Sequence, residues 1–168
     1  MSIVFFDTCS LVLRYDTRAS SRRVRRLISD SRNTVYIADT TVLELASSLA
    51  TECRRKGADA KVFDRMTQKF FADLADETLS VRSTTKREVL RAYDLIRWVG
   101  VHKRRNLKSS DALIATCCYD LAMELKEKIA FYTSDRRLHD VLHDTDLFES
   151  ALNIRYIDPG YKKITAIA

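Results

Sequence analysis

Four acidic residues occupy positions in this sequence from which they could form one site. Asp7 directly follows the first apolar strand, and Asp135 lies two residues past a later one. Glu44 lies in the first turn of the helix after the second strand, and Asp111 starts the helix that leads into the fourth. Ligands of open α/β sheets bind at the carboxyl ends of the strands. We therefore expect these four carboxylates to meet at that edge.

Four carboxylates held within a few ångströms repel one another and raise each other's pKa. A divalent cation would relieve that repulsion. Mg²⁺ and Mn²⁺ are hard cations that prefer carboxylate and water oxygens, and the set contains none of the His or Cys ligands that favour zinc. Such an ion polarises a phosphoryl oxygen and orients water as a nucleophile. The set predicts a Mg²⁺ or Mn²⁺ site suited to phosphodiester hydrolysis.

Three of the acids also have structural interpretations. Thr41 and Glu44 have the spacing of a helix capping box. Asp111 would be favourable at the positive end of its helix, and Asp135 would serve as an N-cap. Asp7 lacks this alternative, because an apolar strand ends abruptly in an acid and no helix signal follows at once.

Apolar and helical patterns alternate along the chain. Strands are predicted at Ile3–Phe6, Val35–Ala38, Leu79–Arg82, Ile129–Thr133 and Asn153–Ile157. Helices are predicted from Ser10, at Ser20–Ser29, Thr41–Lys56, Ala58–Leu74, Thr85–Val99, Ser110–Lys126 and Arg136–Leu142, with a basic loop over Gly100–Lys108. Strands separated by helices form parallel βαβ units. We predict one domain over residues 1–168, a three-layer α/β/α sandwich with a central, mostly parallel four- to five-stranded sheet.

The composition is that of a basic globular protein. The 168 residues include 29 Lys and Arg against 23 Asp and Glu, a net charge of +6 that suits an anionic partner such as nucleic acid. Three Gly and one Pro argue against a fold with many tight turns. The four Cys have no zinc-site spacing, which predicts buried free thiols in a reducing compartment. No signal peptide and no membrane span are evident, so a cytoplasmic location is expected.

Four motifs in order resemble those of the PIN-domain family of metal-dependent nucleases: FFDTCSLV, TTVLELASSLA, KSSDALIATCCYDLA and FYTSDRRL. Together they span nearly the whole chain. The resemblance implies an α/β/α sandwich, and a Mg²⁺ or Mn²⁺ site formed by Asp7, Glu44, Asp111 and Asp135. It also implies RNA cleavage by metal-activated water. Thr133 matches the hydroxyl residue of the last motif and is expected to position water or an acid.

Compact single-domain members in microbes are very often toxins of the VapC type. That would imply a small antitoxin partner and often a homodimer. Other members process RNA without an antitoxin, and members that have lost acids are non-catalytic scaffolds. All four acids are present here, which favours an active endoribonuclease, while Cys9 replaces the Ser or Asn that many members carry. An RNA-processing nuclease and a non-catalytic RNA-binding scaffold remain the alternatives.

Basic residues adjoin two of the predicted catalytic acids. Arginine side chains bind phosphates bidentately, so we predict contacts with the RNA backbone, the alternative being a solvated face. The predicted RNA-binding residues are Lys103, Arg104, Arg105, Lys108, Arg136 and Arg137. A further cluster, expected to be a solvated or partner surface, comprises Arg18, Arg22, Arg23, Arg25 and Arg26.

Two other chemistries fit the sequence less well. A haloacid dehalogenase-type phosphatase also places an acid after the first strand, but it needs a second Asp where Cys9 stands. His139 and His143 have a spacing that can hold zinc, but no third ligand is evident. Asp140, between them, is a possible extension of the acidic site.

Overall fold

The structure, a computed structural model, describes residues 2–15, 21–55 and 57–159. Its strands are β1 (Ser2–Phe6), β2 (Asn33–Ala38), β3 (Ser80–Arg82), β4 (Ile129–Thr133) and β5 (Leu152–Tyr156). Its helices are α1 (Thr8–Tyr15), α2 (Ser21–Ser29), α3 (Asp39–Arg55), α4 (Ala60–Ala75), α5 (Lys86–His102), α6 (Ser109–Leu125), α7 (Arg136–His143) and α8 (Asp146–Glu149). The five predicted strands are present within two residues of their predicted bounds.

All five strands run parallel, in the order β3-β2-β1-β4-β5. The central strand β1 pairs with β2 on one side and with β4 on the other, so that Val4 lies between Val35 and Ala130. The predicted fold class is confirmed, with five wholly parallel strands. Because β1 and β4 are neighbours, the residues that follow them emerge side by side.

The two faces of the sheet carry separate apolar cores. Phe5 and Phe131 belong to the core with α5, α6 and α7, and their ring centroids lie 6.2 Å apart. Phe6 and Tyr132 point to the opposite face, towards the first four helices, with centroids 5.5 Å apart. Successive strand residues alternate between faces, so a continuous apolar run fills both cores.

Some local predictions are wrong. The helix predicted from Ser10 begins at Thr8, and α5 continues to His102 through the first part of the predicted loop. The short helix α8 was not predicted, because four residues carry no measurable periodicity. Three cysteines are buried free thiols as expected, but Cys9 is exposed. Arg18 lies outside the described residues.

None of the described helices has the length and hydropathy that crossing a membrane requires.

Candidate active site

Asp7 is a buried carboxylate held from two sides. Its Oδ1 accepts hydrogen bonds from the Ser10 backbone N–H at 2.7 Å and from the Ser10 hydroxyl at 2.5 Å. Its Oδ2 accepts from the Thr133 hydroxyl at 2.5 Å. The bond from the Ser10 backbone is that of a helix N-cap. A helix therefore does follow Asp7 at once, and this acid also serves as the N-cap of α1.

Thr133 connects Asp7 to Asp135. Its hydroxyl oxygen accepts a 3.0 Å hydrogen bond from the Asp135 backbone N–H while it donates to Asp7. The Asp135 side chain caps α7, with Oδ1 accepting from the backbone of Arg137 at 2.8 Å and of Leu138 at 3.3 Å. Its Oδ2 makes no hydrogen bond within the described part of the chain. The N-cap interpretation is confirmed, and one carboxylate oxygen stays available to a ligand.

Glu44 is held by α1 and not by a capping box. Its Oε2 accepts a 2.6 Å hydrogen bond from the Thr8 hydroxyl. Helix α3 begins at Asp39, which places Glu44 in its second turn and Thr41 inside the helix. The buried Thr41 hydroxyl has no hydrogen-bond partner in the described structure. The capping-box alternative for Glu44 is therefore wrong.

The acids act on one another electrostatically. Burial raises the pKa of Asp7 to about 6, hydrogen bonds from Ser10 and Thr133 oppose the rise, and the charge of Asp111 adds to it. Desolvation likewise raises the pKa of Asp111, which lies in the first turn of α6, to about 6.

The charge of Lys108 lowers the pKa of Asp111, whereas the charges of Asp135 and Glu44 raise it. Asp111 therefore faces the same space as the other three acids, although no hydrogen bond joins it to them.

Cys9 lies in the same negative electrostatic field of the acids. Desolvation raises the pKa of its thiol to about 12, and the charges of Asp7, Asp135 and Asp111 contribute to the rise. A raised pKa keeps this thiol protonated at neutral pH.

The donor set has the chemistry of a hard-cation site. All four acids offer carboxylate oxygens, which Mg²⁺ and Mn²⁺ prefer. Among the described side chains, however, no three of His, Cys, Asp and Glu are grouped closely enough to hold a metal ion directly. Mg²⁺ commonly keeps several waters and uses only one or two carboxylates, so this spacing still fits a partly hydrated ion.

Of the predicted RNA-binding residues, the structure places only some near the acids. Lys108 acts on Asp111 and Cys9. Arg136 lies over the Tyr156 ring, its guanidinium carbon 4.9 Å from the centroid.

The other basic residues are not brought to the acids by any side-chain contact. The Lys103 ammonium lies 5.3 Å from the Trp98 ring centroid, and Arg105 pairs with Asp144 at 3.1 Å. Arg104 and Arg137 are exposed.

Thr8 and Ser10 are site residues that the sequence analysis missed. Each bonds one of the predicted acids from the first turn of α1. No helical period is evident in the sequence at the start of α1, because Leu11, Val12 and Leu13 are all buried, so neither residue could be placed from it.

The zinc alternative at His139 and His143 is not supported, because Nδ1 of His139 bonds Asp140 at 3.0 Å and the described residues supply no third ligand.

No protein-family model matches this chain, and no curated protein matches it significantly. Solved structures do match. A chain from VapBC2 of Rickettsia felis, bound to a promoter DNA fragment, is 15% identical with a TM-score of 0.59, over 90% of this chain and 98% of that one. The sarcin-ricin loop cleaving toxin VapC20 of Mycobacterium tuberculosis is 18% identical with a TM-score of 0.56, over 83% and 94%. A chain from VapBC-1 of nontypeable Haemophilus influenzae is 15% identical with a TM-score of 0.56, over 92% and 97%.

The chain therefore has the PIN-domain fold, in the form found in VapC-type structures. The resemblance drawn from its sequence motifs is confirmed at this level.

Proposed function

We propose that this protein is a Mg²⁺- or Mn²⁺-dependent endoribonuclease and the toxin of a toxin–antitoxin pair. The observation that carries the proposal is the connection of Asp7 to Asp135 through Thr133, at the adjacent ends of β1 and β4. The charges of Asp111 and Glu44 act in the same space. One structure of similar fold is described as a toxin that cleaves the sarcin-ricin loop.

Asp7, Glu44, Asp111 and Asp135 would hold the ion. When bound, it would polarise a phosphoryl oxygen and lower the pKa of an attacking water.

The chain's own hydrogen bonds prepare the acids for this role. Thr133 and Ser10 donate to Asp7, which favours its charged form, and Lys108 does the same for Asp111 through its charge. Thr8 fixes the direction of the Glu44 carboxylate. The cations of Lys108 and Arg136 stand beside the acids, where they would attract an RNA phosphate.

The partner proposal rests on an exposed apolar surface. Helix α5 exposes Leu90, Tyr93 and Val101 by 57%, 65% and 66%, and α3 exposes Leu43 by 77%. Leu90, Tyr93 and Val101 share one face of α5 by helical spacing, and an apolar patch on an exposed face marks an interaction surface. We propose that they contact a small antitoxin or a second copy of the chain, in the cytoplasm. The structures of similar fold include VapBC complexes.

RNA cleavage by the purified protein tests the proposal. A structured RNA is incubated with Mg²⁺, Mn²⁺ or EDTA, alongside Asp7→Asn and Asp111→Asn. The control is Asp94→Asn, which changes an exposed acid on α5. Cleavage that needs metal, survives in the control and is lost in both site variants supports the nuclease. Cleavage that persists in EDTA or in both site variants contradicts it.

A non-catalytic RNA-binding scaffold is the second candidate. It is favoured by the absence of any preformed three-ligand metal group among the described residues. RNA binding without turnover, at equal strength in EDTA and in Asp7→Asn, would establish it. An active nuclease that is found to be encoded without an antitoxin would instead be the RNA-processing type.

A further inference from the structure

A groove of about 530 Å³ opens beside Asp135, outside the ends of β4 and β5. Its walls come from α1, α3, the turn between β4 and α7, and the residues at the end of β5. The volume falls within the range of about 300–1,000 Å³ typical of small-molecule pockets. Asp135 and Arg136 also belong to the site described above, but the rest of the groove has no role there.

One wall is a planar cationic platform. The Arg136 guanidinium lies over the Tyr156 ring, and the His139 ring contacts that tyrosine edge-on at 5.7 Å between centroids. The Arg136 side chain is 68% exposed, so the tyrosine covers only part of it. Guanidinium planes and aromatic rings are the surfaces on which proteins stack unpaired RNA bases.

The floor and the rim supply the other contacts that a base requires. Val12 and Leu13 form an apolar floor. Ser48, on α3, and Ser134 line the groove, and their hydroxyls bond to none of the described residues. A hydroxyl both donates and accepts, so it can meet either kind of group on a base edge.

The charges that line the groove nearly balance, which suits an uncharged occupant. Besides Arg136 the groove is lined by the carboxylates of Asp135 and Glu52, the latter paired with Arg55 at 2.7 Å. Because Glu52 is already paired, and Arg136 and Asp135 carry opposite charges, the lining favours an uncharged group such as a nucleobase, which can stack on the guanidinium.

We propose that this groove binds one nucleobase of the RNA, next to the phosphate that lies at the acids. This proposal rests on the proposed nuclease function, which places the phosphate at the acids. The groove would then be the base-recognition part of the same site. Arg136 provides the stacking surface, and Tyr156 positions it.

Nucleotide binding in EDTA tests the groove independently of cleavage. NMR titrations compare AMP, GMP, CMP and UMP with ribose 5-phosphate, which lacks a base. We expect at least one nucleotide to bind, and ribose 5-phosphate to bind at least fivefold more weakly. Arg136→Lys keeps the charge but removes the plane, and is expected to weaken nucleotide binding at least fivefold, as is Tyr156→Ala.

Arg155→Lys is the matched control. Arg155 is the exposed neighbour of Tyr156 on β5, and its side chain points to the opposite face of the sheet. Its replacement is expected to leave nucleotide affinity unchanged, while thermal melts confirm that every variant is folded.

Two outcomes would overturn the base site. In one, ribose 5-phosphate binds as tightly as the nucleotides. In the other, no nucleotide binds at all, which would leave the groove to a protein partner. Equal weakening by Arg136→Lys and Arg155→Lys would also contradict it. This experiment contains no metal and involves no turnover. If the protein binds bases but cleaves no RNA, the base-binding proposal therefore stands and only the nuclease proposal is refuted.

Discussion

Thr133 and Asp7, 126 positions apart in the chain, are joined by a 2.5 Å hydrogen bond from the threonine hydroxyl to Oδ2 of the acid. The same hydroxyl oxygen accepts from the backbone N–H of Asp135. One buried group thus donates to the first acid and accepts from the residue that carries the second. Its geometry fixes the relative positions of the two acids across the ends of β1 and β4.

Replacement of this hydroxyl is expected to weaken metal binding. Thr133→Val keeps the shape of the side chain but leaves the Asp7 carboxylate and the Asp135 N–H without their partner. Loss of such a supporting contact typically costs about 10- to 100-fold in metal affinity. Calorimetric titration with Mn²⁺ measures it, and Thr133→Ser, which retains the hydroxyl, should restore most of the affinity. If the valine variant binds Mn²⁺ as tightly as the wild type, the Thr133 hydroxyl does not contribute to metal binding.

Asp111 is expected to destabilise the metal-free protein at neutral pH. Its pKa is raised from 3.8 to about 6 in the folded state, so the folded state binds a proton more tightly than the unfolded state. The stability cost is therefore absent below about pH 4, grows between pH 4 and 6, and is complete above that. Asp111→Asn should raise the Tm by a few degrees at pH 8 in EDTA and leave it unchanged at pH 3.5.

The same variant should lose the rise in Tm that Mg²⁺ produces in the wild type, because the ion stabilises only a folded state that binds it. Asp94→Asn, an exposed change on α5, should alter neither quantity. An asparagine variant that melts below the wild type at pH 8 would show that Asp111 is structural.

The central strands β1 and β4 were predictable from the sequence because they are largely buried on both faces and read as continuous apolar runs. The start of α1 was not, for a related reason. Leu11, Val12 and Leu13 are all buried, so this helix lacks the polar face that gives a helical period. Without that signal, Asp7 could not be seen as a cap, and neither Thr8 nor Ser10 could be placed beside the acids.

The neighbouring positions of Asp7 and Asp135 were predictable because topology dictates where the residues after β1 and β4 emerge. The contact of Glu44 was not. Its spacing from Thr41 satisfies a local rule, but α3 starts two residues earlier, immediately after β2, and the long-range partner Thr8 comes from another helix. Which of two compatible roles a carboxylate adopts depends on such tertiary contacts, and spacing alone does not encode them.

Binding of a divalent ion is expected to weaken as the pH falls through about 6. Burial raises the pKa of both Asp7 and Asp111 to about 6, and protons then compete with the metal for these carboxylates. Mn²⁺ affinity should be nearly constant from pH 7 to 8. It should drop by about 100-fold near pH 5, where the protonated form of each acid outnumbers the ionised form by about ten to one. An affinity that is flat from pH 5 to 7 would show that neither acid binds the ion.

The helix that carries Thr8 and Ser10 is itself fastened by a buried ion pair. Asp73 on α4 accepts from Arg14 at 2.9 and 3.1 Å and from the Tyr15 hydroxyl at 3.0 Å. The side chains of Arg14 and Asp73 are only 12% and 11% exposed. Asp73→Ala would leave a buried guanidinium unpaired, a change that typically costs about 3–5 kcal/mol.

Urea unfolding of Asp73→Ala should therefore show a free energy of unfolding lower by about 3 kcal/mol, near the lower end of that range because neither group is completely buried. Asp64→Ala is the matched control, since it removes an exposed acid from the same helix, and it should change the stability by less than about 0.5 kcal/mol. Because α1 also holds Asp7 and Glu44, the Asp73 variant should bind Mn²⁺ more weakly even at temperatures where it stays folded. Equal stability of the two variants would show that the pair does not fasten α1.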